Sequence, residues 1–287
     1  MKIGLGTVQF GLEYGVANHV GRVPLEEVRS ILKQAISRGV DTIDTAIAYG
    51  ESEETLGLAG LDGCKVVTKL PAIPDGCTDV CGWVETQIEG SLHRLGVPQL
   101  HGVLLHKPLQ LLDTQGHQLF KTLQHLKAQG VTRKIGVSIY GPEELEILWP
   151  EFPIDLVQAP FSIVDRRIAN SGWLETMKQA GTEIHVRSIF LQGALLMSSE
   201  QRHEKFNGWQ SLWSKWDDWL LSNRLTPLQA CLAFALSSPE IDRVIVGVDS
   251  LLHLNQILNV ETNADLDFPN YLESTDSLLT NPSKWTQ

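Results

Sequence analysis

No Lys/Arg-rich run occurs anywhere in the chain, and 34 acidic residues outnumber 23 basic ones, for a formal charge of -11. Phosphate binding needs a basic surface, so nucleic acid is not expected as a partner. The acidity suits solubility instead. No apolar run approaches membrane-spanning length, and no membrane association is expected. The opening "KIGLGTVQFG" lacks a long apolar segment and a small-residue cleavage site. A secretory leader is therefore not expected, and the cytoplasm is the expected location. Cysteine is scarce: Cys64, Cys77, Cys81 and Cys231. "CTDVC" has neither zinc nor thioredoxin spacing, and no His pair completes a metal site. Free thiols in a reducing compartment, and no metal, are the expectation.

A dinucleotide fingerprint is also missing. "GLGTVQFG" lacks the third glycine at the right offset and runs into "LEYGVANHVG", which reads as a loop rather than a helix. This argues against a doubly wound sheet.

What is present is an alternation. Short apolar runs lie at 3–7, 42–45, 65–69, 102–106, 134–138, 155–159, 183–188 and 243–247, with helix-period segments between them. "PLEEVRSILKQAISRG" carries Pro24 near its start, acids in its first turn and Gly39 beyond its end. Eight such repeats without a composition break predict one α/β domain over residues 1–287, a (β/α)8 barrel. An insertion at about 197–225 interrupts the rhythm after the seventh strand. Its Trp209, Trp213, Trp216 and Trp219 form a helical stripe that reads either as wall packing or as a lid or sugar-stacking platform. A polar C-terminal segment, about 261–287, is expected either to close over the barrel mouth or to dock as a tail.

Functional residues of a parallel barrel gather where strands end. Strand two ends at Asp44, with Tyr49 in the next loop; strand three ends at Lys69 and strand four at His106. Taken singly, these read as a strand-end cap, a loop aromatic, a solvated terminus and a satisfied core histidine. Together on three consecutive strands they suit one task. An ammonium stabilises phenolate, a carboxylate balances a buried ammonium, and a neutral imidazole orients a carbonyl. The set is a general acid aimed at an oxygen that gains negative charge.

These same segments resemble the aldo-keto reductase family, over almost the whole chain. "DTAIAYG" is similar to that family's second-strand signature, "VVTKL" to its lysine strand and "VLLHKP" to its histidine strand. "KIGVSIY", "LVQAPFS" and "VIVGVDSLLHLNQIL" resemble its fifth, sixth and final strand segments. The resemblance implies a catalytic tetrad of Asp44, Tyr49, Lys69 and His106, with Tyr49 as proton donor. It implies a nicotinamide dinucleotide lying across the barrel mouth and a small-molecule carbonyl substrate. Implied cofactor contacts are Gly6, Thr7, Ser138, Gln158, Arg187, Ser188, Phe190, Gln192, Gly193, Gly247, Val248, Asp249, Ser250 and Gln256. Ile139 departs from the family's asparagine, which removes one carboxamide bond. Arg187 falls where many members carry a ring against the nicotinamide, and a guanidinium can also stack.

Asp249 stands where relatives with "GxR" carry an arginine. The family's habit implies NADPH, whereas Asp249 suits NADH, whose free 2′-hydroxyl it would accept; a plain cap of the last helix is the third reading. "GTVQFG" and "RSIFLQG" resemble bacterial members linked to sugar or surface-polysaccharide metabolism. The implied function is reduction of an aldehyde or ketone, with a sugar-derived, nucleotide-linked carbonyl as one candidate substrate. The alternative is a cofactor-binding regulatory module with little turnover.

Overall fold

The computed structural model describes residues 1–16, 18, 21–261 and 266–285. Each short apolar run becomes a strand: β1 (Ile3–Gly6), β2 (Thr42–Asp44), β3 (Lys65–Leu70), β4 (Leu100–Leu105), β5 (Thr132–Ser138), β6 (Leu156–Pro160), β7 (Glu183–Arg187) and β8 (Arg243–Gly247). Near-continuous apolar character is what a parallel strand buried on both faces requires. Each strand pairs with its sequence neighbour, and β8 closes on β1, giving a closed parallel barrel. The register aligns strand ends: Gly6 faces both Asp44 and Gly247, Lys69 faces Leu104, and Ser138 faces Gln158. Inside the barrel, Val67, Leu104 and Leu156 form a fully buried cluster of their own.

The helices are α1 (Leu25–Ser37), α2 (Ser52–Ala59), α3 (Val80–Leu95), α4 (Gly116–Ala128), α5 (Pro142–Leu148), α6 (Arg167–Asn170), α7 (Trp173–Gln179), α8 (Gln210–Asn223), α9 (Pro227–Ser237), α10 (Leu251–Leu258) and α11 (Ser277–Thr280). Pro24 occupies the cap position of α1, one residue before the first helical turn. The third helix starts ahead of the apolar period that begins at Trp83, because the Asp79 side chain accepts from Gly82 N and caps it at Val80.

The tryptophan insertion becomes α8 and the short 3-10 segment Glu204–Trp209 before it. Trp213, Trp216 and Trp219 are buried. The indole N–H of Trp213 donates to Phe206 O, and that of Trp216 to Leu195 O. None of the four tryptophans lines the barrel-mouth cavity, so the stripe packs the wall. The C-terminal segment docks through Arg166, whose guanidinium donates to Phe268 O and Pro269 O. It brings Pro282 and Ser283 to the cavity rim. Part of that segment, 262–265 and 286–287, lies outside the described residues.

Strand starts at the opposite rim are tied by ions. Asp41 meets Lys65 and Arg243. Glu183 takes His101, Lys134 and His185 from three strands. Burial opposes charge on Glu183, but bonds from His101, His185 and Lys134 outweigh it and hold its carboxyl well below the carboxylate range.

Candidate active site

The loop after β2 is built to aim Tyr49. Backbone bonds continue past the strand end, from Thr45 N to Val67 O and Ile47 N to Lys69 O. The chain then turns, with Tyr49 N on Ala46 O and Ser52 N on Tyr49 O. The buried Ser52 hydroxyl donates to Thr7 O and lies 3.0 Å from the hydroxyls of Thr7 and Thr45. Next to it, buried Glu53 accepts from Thr68, Ser91 and Arg94, fastening α2 to β3 and α3. Gly11 packs so closely that a Cβ there would come within 1.8 Å of Tyr49 O. Only glycine lets the β1 loop support this turn.

The three strand-end groups and Tyr49 come together. Lys69 Nζ donates to Asp44 Oδ2 at 2.7 Å and to Thr45 O at 2.8 Å. It also lies 5.0 Å from the Tyr49 ring centre. Burial works against the Lys69 charge, yet the Asp44 carboxylate overrides it and keeps the ammonium above its usual range. His106 stands edge-on to Tyr49, with ring centres 5.8 Å apart. Burial first, then the Lys69 and Arg187 charges, lower the imidazole to about 4. His106 is thus neutral at ordinary pH and able to hydrogen-bond a carbonyl oxygen without being an acid itself.

A cleft of about 1050 Å³ opens above these groups. Asp44, Tyr49 and His106 line it, as do Gly6, Thr7, Ser138, Arg187, Phe190, Gln192, Gly193, Gly247, Asp249 and Gln256. Lys69 sits behind Asp44, off the wall. Gln158 is fully buried and points inward: its Nε2 donates to Asp44 Oδ1 at 2.7 Å. Thr7 touches the cleft, but its hydroxyl is spent on Asp44 O. Ser188, Val248 and Ser250 are not on the wall. Ser188 accepts from Arg187, Val248 packs in the core, and Ser250 caps α10 by accepting from His253 N. Ile139 is buried; its carbonyl accepts from Arg187 and its backbone N–H donates to Gln158 O.

Other wall residues carried no local signal in the sequence. Gln9 and Tyr14 come from the loop after β1, Tyr140 follows β5, and Thr226 to Gln229 open α9. The Tyr14 hydroxyl accepts from Gln192 Nε2 at 2.9 Å, joining the loops after β1 and β7. A chain with this sequence pattern gives no hint of that pairing, because the two residues are 178 positions apart.

The cleft suits a dinucleotide on its own geometry. Two buried oxygens on its wall, Gln9 Oε1 and Asp249 Oδ1, have no partner among the described residues. Buried acceptors left unpaired are costly and mark where a ligand donor fits. Gly247 leaves room beside the Gln9 amide, where a Cβ would fall 2.7 Å from its nitrogen. Ser250, rather than Asp249, caps α10, so the Asp249 side chain remains available to the cleft. Burial raises the Asp249 pKa, and His253 offsets this in part.

Solved structures share this architecture. An aldo-keto reductase from Bacillus halodurans in its holo form superposes with a TM-score of 0.72 at 19% identity, covering 90% of this chain and 86% of that one. An aldo/keto reductase from Klebsiella pneumoniae in complex with NADP and acetate gives 0.66 at 23% identity, with 92% and 86% covered. At these identities the likeness is one of fold. By sequence, the chain is 34% identical over 138 residues to an aldo-keto reductase of Mycobacterium sp. (strain KMS), covering 45% of this chain and 47% of that relative. It is 26% identical over 165 residues to a 6-dehydroglucose reductase of Agrobacterium fabrum, with 51% and 54% covered. The chain spans about half the length of the curated relatives it matches. The family model described as the aldo/keto reductase family, however, matches residues 2–273, which span the whole barrel. By that match the chain belongs to the aldo/keto reductase family.

Proposed function

We propose that this chain reduces an aldehyde or ketone to an alcohol with a reduced nicotinamide dinucleotide, and that Tyr49 is the proton donor. The observation that carries this reading is the Lys69 ammonium, fixed by Asp44 and lying 5.0 Å from the Tyr49 ring, beside neutral His106 at the floor of the cleft. When bound, the cofactor supplies a hydride to the carbonyl carbon. His106 holds the carbonyl oxygen by a hydrogen bond. Tyr49 passes its hydroxyl proton to that oxygen as the carbon–oxygen double bond becomes single. Lys69 stabilises the phenolate left behind, which regains a proton from solvent. Arg187 and Phe190 are the groups for the nicotinamide ring, and Ser138 and Gln158 for its carboxamide. In the latter role Gln158 would have to exchange its bond to Asp44.

For the dinucleotide's other end, NADH is the better-supported partner. Asp249, Glu261 and His253 line the cleft around α10, and no Lys or Arg does so there among the described residues. A 2′-phosphate would meet carboxylates, whereas a 2′-hydroxyl would donate to Asp249 Oδ1. For NADPH, the family's habit, that part of the wall offers no Lys or Arg to the 2′-phosphate among the described residues. A polyhydroxylated, sugar-derived carbonyl is the substrate class we favour. The wall near Tyr49 is rich in hydrogen-bonding groups, including Tyr14, Tyr140 and Gln192, and one relative is a 6-dehydroglucose reductase.

The test is Tyr49→Phe, assayed with both reduced cofactors against a panel of aldehydes, ketones and oxidised sugars. Dinucleotide binding should persist while turnover falls roughly 10²–10⁴-fold. Undiminished turnover would remove Tyr49 as the acid.

A further inference from the structure

Arg187 is the single Lys or Arg on the cleft wall among the described residues. It ends β7 and has no carboxylate within ion-pair distance among them. The other cation of the floor, Lys69, is balanced by Asp44 at 2.7 Å. The floor therefore carries one positive charge without an ion-pair partner among the described residues.

That charge is also held still. Arg187 Nη2 donates to Ile139 O at 2.9 Å, and Nη1 to Ser188 Oγ at 3.2 Å. Its guanidinium carbon is 5.0 Å from the Tyr140 ring centre. Ser188 adopts a left-handed φ of 61°, unusual for a residue with a side chain. The nearby Glu144 carboxylate feels the Arg187 charge but makes its hydrogen bonds with Tyr140 N and Gly141 N, outside ion-pair distance of the guanidinium. A fixed, unpaired cation in a part-desolvated cleft acts on the charge of whatever lies beside it. Its field is already felt by His106, whose imidazole it helps to keep unprotonated.

A nicotinamide ring that reaches Tyr49 and His106 must lie near this guanidinium. The oxidised ring carries a positive charge and the reduced ring does not. We propose that Arg187 discriminates between the two redox forms of the dinucleotide, weakening the oxidised form so that the site holds the reduced cofactor and releases the spent one. This rests on the reductase reading and adds a direction to it. Against a neutral dihydropyridine a planar guanidinium can stack; against a pyridinium the same contact is repulsive.

The experiment is equilibrium binding, read by quenching of tryptophan fluorescence or by calorimetry, of NADH, NAD⁺, NADPH and NADP⁺ to the intact protein. The wild type should bind each reduced form about tenfold or more tightly than its oxidised partner. Arg187→Gln should cut that ratio by about tenfold, equivalent to a shift of about 30 mV in the potential of the bound two-electron couple. Arg187→Lys, which keeps the charge, should preserve it. Equal loss of both forms in Arg187→Gln would mark a purely structural role and overturn the proposal. Near-equal affinities in the wild type would overturn it too, even if every variant failed to fold, while leaving the reductase reading intact. If the wild type binds no dinucleotide at all, the reductase reading falls and this proposal falls with it.

Discussion

Lys69 Nζ lies 2.7 Å from Asp44 Oδ2, and only 1% of the one side chain and 6% of the other reaches solvent. The pair is also the hub of the floor, since Asp44 Oδ1 accepts from Gln158. A buried cation stripped of its partner is far more costly than the intact pair is stabilising. Asp44→Asn should therefore lower unfolding free energy by about 3 kcal/mol, measured by urea denaturation at pH 7. The linkage sign follows from the raised Lys69 pKa: its contribution is full below the unfolded lysine value and is lost as pH rises through the folded one. The wild-type advantage over Asp44→Asn should thus persist at neutral pH and shrink in strong alkali. Equal midpoints for the two proteins at pH 7 would dissolve the pair as an energetic unit.

His106 behaves in the opposite sense. Its pKa falls from 6.5 in the unfolded chain to about 4 in the fold. Between those values the unfolded chain binds a proton that the native protein does not, so stability declines as pH drops from 6.5 toward 4. His106→Gln should remove part of that acid-side decline, seen by comparing denaturation midpoints at pH 7 and pH 5. The rate of carbonyl reduction should show no histidine titration from pH 5 to 8. A kinetic step near pH 6.5 that vanishes in His106→Gln would contradict a neutral imidazole.

Asp249 Oδ1 is buried on the cleft wall without a hydrogen-bond partner among the described residues. Asp249→Arg replaces an acceptor by a donor suited to phosphate. The NADPH-to-NADH affinity ratio should rise by about tenfold or more, the scale of a hydrogen bond to a charged group. Competitive binding of the two cofactors measures it, and an unmoved ratio takes Asp249 out of cofactor choice.

At the far rim, Glu183 gathers His101, Lys134 and His185. Glu183→Gln should cost about 3 kcal/mol, because it leaves buried donors short of an acceptor. Since the native carboxyl is held well below its unfolded value, this stabilisation is present above about pH 4.5 and fades as pH falls further. Cofactor affinity should stay unchanged, the cluster being at the opposite end of the strands. Loss of cofactor affinity without loss of stability would reverse that assignment.

The eight strands were legible because a parallel barrel strand is buried on both faces and reads as a short apolar run. Asp44, Lys69 and His106 stood out because polar groups at the ends of such runs are unusual. Asp249 was legible as a departure, but its role was not: capping and cofactor contact share one local pattern, and only the position of the Ser250 hydroxyl over His253 N separates them. The tryptophan stripe has a spacing common to wall packing and to a lid, and the indole N–H bonds inside the wall separate the two.

Local order along the chain thus determined the strand count, the helical segments and which ionisable groups sit at strand ends. Closure of the barrel decided the rest. Only register across neighbouring strands sets Lys69 against Asp44, draws Gln158 onto the same carboxylate and, among the described residues, leaves Arg187 without an ion-pair partner. Only loop packing brings Tyr14 to Gln192 across 178 residues. Backbone propensity and hydrophobic period act over a few residues, whereas charge pairing and cavity shape depend on distances in space that no window of sequence contains.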